Sequence, residues 1–296
     1  MSNTLIPKII HQTYHSKVLP NDILEIVEGF KRKNPDWEYR FYDNNQCSQY
    51  IFNYYGQEFL DIYDSINVSY GAAKADFFRY LVLYREGGAY FDIKSACTIP
   101  LSKLIQLEDE FLISNWPNDH GEFKGSGLKI ELRNIPHGEY QQWYIIAKPK
   151  SPFLKAVIDR VVHNIKNYNP WKFSVAKRGV LKVTGPIPYT LAIHPLRNKY
   201  SHRYSRYHTD FFLKYSMLKD NNDHVVIMRN HYSLSIEPIV YPKNVYDVFL
   251  YKSFIIFRFF INTFILNMVF NRSDYFSILF IEFNKLLNNL EKKYFF

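Results

Sequence analysis

Asp76, Arg79, Asp92 and Lys94 lie in one short stretch, YGAAKADFFRYLVLYREGGAYFDIKS, at residues 70–95. Asp76 and Arg79 are three apart in a run that reads as a helix from Ala72 to Glu86, so they share a face. Asp92 and Lys94 are two apart at a strand read over Ala89 to Ile93, so they point to one side of it. Gly87-Gly88 supplies the left-handed stop that ends the helix and returns the chain at once. The four groups therefore converge at one helix–strand junction. Two carboxylates can accept from hydroxyls there, and two cations can neutralise an anion. The plainer alternative for Asp76 and Arg79 is a helix-surface ion pair worth roughly 0.3 kcal/mol.

Elements that could position this junction precede it. Leu5 to Ile10 reads as a short buried strand that empties into His11-Gln12-Thr13-Tyr14, the kind of strand end at which α/β folds hold ligands. Asn21 and Asp22 are candidate caps for a helix through Lys33, and Asn34-Pro35 stops it before a second strand, Trp37 to Tyr42. A further helix is expected over 45–63. Strand, helix, strand, helix in this order points to a nucleotide-binding α/β layer. Beyond residue 100 the pattern loosens. Trp116, Pro117, His120 and Gly125 to Gly127 suggest a mobile surface, Tyr140 to Lys148 a strand, and 151–167 an amphipathic helix. Val183-Thr184-Gly185-Pro186 reads as a turn that lets a ligand or a neighbouring backbone approach closely.

The bulk numbers set limits on this reading. The chain has 296 residues, 47% hydrophobic and 22% charged, which is a globular composition with room for a sizeable core. Aromatics reach 18%, and the formal charge is +9. Such an excess suits nucleic acid, an anionic membrane face or a small anionic substrate. Nucleic acid is set aside because the basic residues are scattered and no nucleic-acid motif is present. Cys47 and Cys97 are the only cysteines. Without metal-ligand spacing they argue against zinc, and their number argues for a reducing compartment. The N-terminus lacks a signal-peptide layout, because Lys8 interrupts its short apolar run, so a cytoplasmic location is expected, with the membrane inner face as the peripheral option. Asn-x-Ser matches at Asn67 and Asn271 are short enough to arise by chance. Phe249 to Phe270 is almost wholly apolar, but Lys252, Arg258, Asn262 and Asn267 disfavour a clean transmembrane span. Membrane-surface association and a core or dimer helix both stay open, as does homo-oligomerisation.

Three ordered blocks, Ile6-Pro7-Lys8-Ile9-Ile10-His11-Gln12-Thr13-Tyr14, Asn34 to Asp43, and Ala72 to Ser95, resemble glycosyltransferase family 32, the sugar transferases with a DXD sugar-binding region. Thr184-Gly185-Pro186 is a weaker later match. Initiating mannosyltransferase-like and capsular polysaccharide enzymes are the members it resembles. The resemblance implies a GT-A fold, which is a Rossmann-like mixed sheet flanked by helices. It implies a UDP- or GDP-linked sugar as donor, a glycan or lipid-linked acceptor, and transfer of a hexosyl residue with retention. His11, Gln12, Thr13 and Tyr14 would lie beside the nucleotide base, with Tyr42 in the pocket wall. Asp76 and Arg79 would hold donor sugar hydroxyls and the glycosidic or phosphate oxygens, and Asp92 would contact ribose, sugar or a metal. Thr184 and Gly185 would serve the acceptor side, and His231 would return to the diphosphate from the C-terminal part.

The third motif position departs from the family, since Lys94 stands where a second Asp is usual. A charged lysine has no lone pair for Mn²⁺ or Mg²⁺, but its ammonium can lie against a diphosphate, so Lys94 is expected to replace part of the metal's role. Sugar–phosphate cleavage builds negative charge on the leaving diphosphate and positive charge on the sugar, and this cluster carries both signs to meet it. The expected organisation is a catalytic domain over 1–248 and an apolar helical extension over 249–296. The competing reading, prompted by Lys94, is a sugar-nucleotide-binding protein with little or no turnover.

Overall fold

The computed structural model describes residues 4–218 and 235–270, with side chains of the final helix described as far as Ile261. The chain begins β1 (Ile9–Thr13), α1 (Asn21–Lys33), β2 (Glu38–Tyr42), α2 (Asn44–Ser65), α3 (Gly71–Glu86), β3 (Gly88–Phe91) and β4 (Ala96–Cys97). After α4 (Leu101–Leu104), β5 (Leu112–Asn115) and β6 (Tyr144–Ala147) come α5 (Pro152–Lys166), α6 (Pro170–Phe173), α7 (Ala176–Val183) and α8 (Pro186–Ile193). Two short strands, β7 (Arg203–Tyr207) and β8 (Leu213–Lys214), precede the last described helix, α9 (Val245–Phe270).

The main sheet has the order β2-β1-β3-β6, with β1 parallel to both neighbours and β6 antiparallel to β3. It is a mixed sheet flanked by helices, the α/β class expected from the order of elements. Helix α3 is apolar on nearly every face because it is buried all round. Phe77, Phe78, Tyr80, Leu81, Val82 and Leu83 are fully buried, and α3 packs against α2 and α5. Asp76 and Arg79 therefore sit in the interior of the layer, not on a helix surface.

Local geometry differs from expectation at both strand ends that matter. Strand β1 starts at Ile9 instead of Leu5 and runs through His11, Gln12 and Thr13. These polar residues stay in the ladder because β1 is central, with pairing partners on both sides. Strand β3 stops at Phe91, and residues 92–95 form a turn in which the Ser95 N–H donates to the Asp92 carbonyl at 2.8 Å. Asp92 and Lys94 thus belong to a turn beyond the strand's carboxyl end. Helix α1 follows Pro20 without a side-chain cap, so Asn21 and Asp22 form its first turn only.

Gly87 and Gly88 are required by space as well as by backbone angle. Gly88 has φ +97, and a Cβ there would lie 2.4 Å from the Ile9 carbonyl oxygen. The junction can therefore press directly against β1.

The apolar C-terminal stretch forms α9, which starts at Val245. Tyr251 and Ile255 are buried with Val175 and Ala176, and the Trp171 ring packs on Phe254 and Phe257 at 5.6 and 5.0 Å. Val245, Tyr246, Phe249, Phe257 and Phe260 remain exposed. Among the described residues no helix is long and apolar enough to cross a membrane. Residues 271–296, the remainder of the expected extension, lie outside the described residues.

Candidate active site

An open cleft of about 1700 Å³ lies beyond the carboxyl ends of β1 and β3, and Thr13, Tyr14, Asp76, Arg79, Asp92 and Lys94 all line it. Four residues from one helix and one turn have thus been brought to a common surface. Gln142, just before β6, forms part of the same floor.

Arg79 is the hub. Its Nη1 donates to the Gln142 carbonyl at 2.8 Å, and its Nη2 lies 3.0 Å from Asp92 Oδ1 and 3.3 Å from Asp76 Oδ1. The guanidinium carbon stands 4.5 Å from the centre of the Tyr90 ring. Burial works against the Arg79 charge, but Asp92, Tyr90 and Asp76 hold it firmly protonated.

Both oxygens of Asp76 are occupied by protein. Gln142 Nε2 donates to Oδ1 at 3.0 Å, and Thr184 Oγ1 donates to Oδ2 at 2.9 Å. Burial pushes its carboxyl up to about 6, and Asp92 adds to the rise against the lowering effects of Arg79, Gln142 and Thr184. Asp92 is the more open of the two carboxylates, with its side chain 29% exposed.

Lys94 is only 8% exposed yet lines the cleft, its Nζ held 4.2 Å from the centre of the Tyr215 ring. Burial lowers its pKa, and Asp92 works in the opposite direction. Among the described residues it makes no ion pair, and its ammonium lies over the Tyr215 ring at the edge of the cleft.

The donor set does not fit a divalent cation caged by protein. Asp92 is one carboxylate with an oxygen already on Arg79, Lys94 occupies the second motif position, and no group of three or more His, Cys, Asp or Glu gathers among the described residues.

Several expected residues are not at the cleft surface. His11 is fully buried, its Nε2 at 3.0 Å from the Gly87 carbonyl and its Nδ1 at 3.2 Å from the Tyr42 hydroxyl. Burial drops its pKa to about 4, so it is a neutral side chain tying β1 to the Gly-Gly turn. Tyr42 is packed beside it against Tyr50 and Phe78. Gln12 is buried and donates to the Asp92 carbonyl at 3.3 Å, which steadies the turn from behind. Thr184 is also buried and acts on Asp76, whereas Gly185 and Pro186 reach the cleft. Thr184-Gly185-Pro186 leads into α8, and a Cβ on Gly185 would lie 2.9 Å from Leu181 Cα, so the close approach there is to a neighbouring backbone. His231 lies outside the described residues.

Sequence reasoning missed Gln142 and Tyr90. Tyr90 sits two residues before Asp92, and that spacing alone could have put it on the same side. Gln142 fell within the strand expected over Tyr140 to Lys148, but β6 begins only at Tyr144, so strand alternation does not place it.

Comparison with known proteins gives one family-model match and several distant relatives. Residues 20–112 match the family model described as a glycosyltransferase sugar-binding region containing a DXD motif. The chain is similar to a mannosyl phosphorylinositol ceramide synthase of Saccharomyces cerevisiae, 28% identical over 63% of this chain and 48% of the relative. It is also similar to an initiation-specific alpha-1,6-mannosyltransferase of Candida albicans, 27% identical over 52% of this chain and 42% of the relative. The chain thus spans about half the length of the curated relatives it matches. Among solved structures, the PaToxG glycosyltransferase is similar with a TM-score of 0.46 and 19% identity, over 65% of this chain and 70% of that one.

Proposed function

We propose, on the premise that residues 20–112 belong to the glycosyltransferase sugar-binding regions containing a DXD motif, that this chain moves a hexosyl residue from a nucleoside-diphosphate sugar to a glycan or lipid-linked acceptor. Mannose is the first sugar to test, because the relatives reported above are named for mannosyl transfer. Residues 1–248 would be the catalytic unit, and the apolar stretch from 249 an extension that begins inside α9 and packs Tyr251 and Ile255 on Val175 and Ala176.

The observation that carries this reading is the convergence of Asp76, Arg79, Asp92 and Lys94 on one cleft at the ends of parallel strands. In the proposed reaction the bond between the sugar's anomeric carbon and the diphosphate oxygen breaks, and its electron pair leaves with the diphosphate. Lys94 and Arg79 meet that growing negative charge. Asp92, and Asp76 when ionised, accept hydrogen bonds from donor hydroxyls and so hold the ring while positive charge builds on it. The acceptor hydroxyl forms the new bond from the face the diphosphate leaves, its proton passing to a departing phosphate oxygen, which retains configuration. Because the lysine charge is built in, this scheme uses no metal held by the protein.

Incubation with a panel of UDP- and GDP-sugars, with and without chelator, tests the reading. Release of nucleoside diphosphate, and a product whose anomeric configuration by NMR equals that of the donor, is the expected result. Lys94 also favours a second reading, a binding protein without turnover. Stabilisation by a sugar nucleotide with no diphosphate release would select it.

A further inference from the structure

One side wall of the cleft contains polar atoms that the described residues leave unmet. Glu139 lines the cleft at 7% exposure. Its Oε1 accepts from Trp116 Nε1 at 2.6 Å, but Oε2 is buried with no hydrogen-bond partner among the described residues. Trp143, another lining residue, has a buried Nε1 that is equally unmet among the described residues. Buried polar groups are nearly always satisfied, and an open carboxylate oxygen is among the costlier exceptions. Burial raises the Glu139 pKa, and Lys129 and Lys177, which also line the cleft, oppose the rise.

The surroundings are built to hold this carboxyl where it is. Gly127 has φ +74, and a Cβ there would lie 2.6 Å from Glu139 Cγ and 2.8 Å from Trp116 Cδ1. Gly138 has φ +75 and would clash with the Gly127 carbonyl oxygen at 2.4 Å. The Glu139 N–H donates to that same carbonyl at 3.0 Å. Two glycines in left-handed geometry thus press one loop onto Glu139 and the Trp116 edge.

The rest of the wall is aromatic. Trp116 packs against Phe123 at 4.9 Å and edge-on to Tyr215 at 5.0 Å, and Tyr215 meets Trp143 at 5.5 Å. All four rings line the cleft. Tyr215 is the ring that carries Lys94, so this wall begins one side chain from the proposed diphosphate site.

We propose that Glu139 and these rings form the subsite for a sugar ring of the acceptor. Rings offer apolar faces to the sugar's C–H surface, Glu139 Oε2 accepts from one hydroxyl, and the Trp143 N–H donates to a hydroxyl oxygen. A sugar is the chemistry that answers all three features at once, since it presents an apolar face together with donors and acceptors around its edge. Glu139 is a binding and positioning residue here and takes no proton from the reaction. The assignment rests on the glycosyltransferase reading and adds the acceptor side to it.

The test uses the full chain with GDP-mannose and UDP-glucose as donors and the methyl glycosides of mannose, glucose and galactose as acceptor probes. In the wild type, at least one methyl glycoside is expected to speed nucleoside diphosphate release above the hydrolysis seen with water alone. Glu139→Ala should raise the acceptor KM about tenfold or more, and Glu139→Gln by a smaller factor. Donor KM and acceptor-free hydrolysis should stay within about twofold. Trp116→Phe, which keeps a ring but removes the N–H that anchors Oε1, should also raise the acceptor KM alone. If Glu139→Ala fails to fold, Glu139→Gln decides, because it preserves shape. Acceptor KM unchanged in the Glu139 variants, or wild-type hydrolysis that no methyl glycoside alters, overturns the assignment while leaving the donor site standing. A wild type that neither binds nor cleaves any sugar nucleotide overturns the proposed function and this inference with it.

Discussion

At the cleft floor both Asp76 oxygens and every nitrogen edge of Arg79 used in the cluster are met by protein groups, whereas on the aromatic wall Glu139 Oε2 and Trp143 Nε1 are buried and unmet among the described residues. The floor is preorganised, because its charges are fixed before any ligand arrives. Such fixed charges need no reorganisation as charge develops in a reaction. The wall is left incomplete by the described residues, and a sugar hydroxyl is the group proposed to finish its hydrogen bonding. A donor that is held rigidly and an acceptor whose arrival completes the site would give this pair of surfaces.

The largest effect should come from breaking the floor. Arg79→Ala removes the partner of two carboxylates, one of them fully buried, and is expected to cost about 3 kcal/mol of stability and at least about 10³ in turnover. A thermal melt and a diphosphate-release assay check both numbers. Asp92→Asn should lower turnover by about 10² to 10³ with little change in melting temperature, since its side chain is partly solvated.

Lys94 allows a sharper comparison. Lys94→Ala should lower turnover about tenfold to a hundredfold, and wild-type activity should survive chelation. Lys94→Asp restores a second carboxylate, so its residual activity should rise on adding Mn²⁺, a response the wild type should lack. Equal Mn²⁺ responses in both proteins would contradict the role given to this lysine.

Asp76 supplies a pH test. Its pKa of about 6 in the folded protein exceeds the ordinary carboxylate value, so between about pH 4 and 6 the folded state keeps a proton that the unfolded chain has lost. Stability should therefore fall as pH rises through that window, by about 2 to 3 kcal/mol in all. Asp76→Asn should flatten the dependence. Donor binding needs the ionised form, so kcat/KM should drop below about pH 6 in the wild type. The smallest expected effect is on the wall. Gly127→Ala strains a left-handed residue and pushes on Glu139, which should cost about 1 to 2 kcal/mol and weaken acceptor use a few-fold without touching donor hydrolysis.

The floor was largely legible in the sequence, and the wall was not. Asp76, Arg79 and the Gly-Gly stop are local features, fixed by helix spacing and by glycine's conformational freedom. Asp92 and Lys94 were found for partly the wrong reason, because the strand ends at Phe91 and a turn presents them instead. His11 reads equally as a base contact and as a satisfied strand-end histidine, and pairing on both sides of β1 makes it the second. Gly125 to Gly127 suggested a mobile surface, yet Gly127 is a tight contact against Glu139. Glu139 and Gln142 lie in an irregular segment before β6, where no periodicity says which way a side chain points. Their roles depend on contacts with residues distant in the chain, such as Trp116 and Asp76.

The most direct test of the central claim measures nucleoside diphosphate release from GDP- and UDP-sugars by the wild type and by Asp92→Asn, side by side with equilibrium binding of each donor. The wild type should bind and cleave at least one donor, while a folded Asp92→Asn protein should cleave it at least about a hundredfold more slowly. Equal cleavage by the two proteins, or no binding of any sugar nucleotide by the wild type, would contradict it.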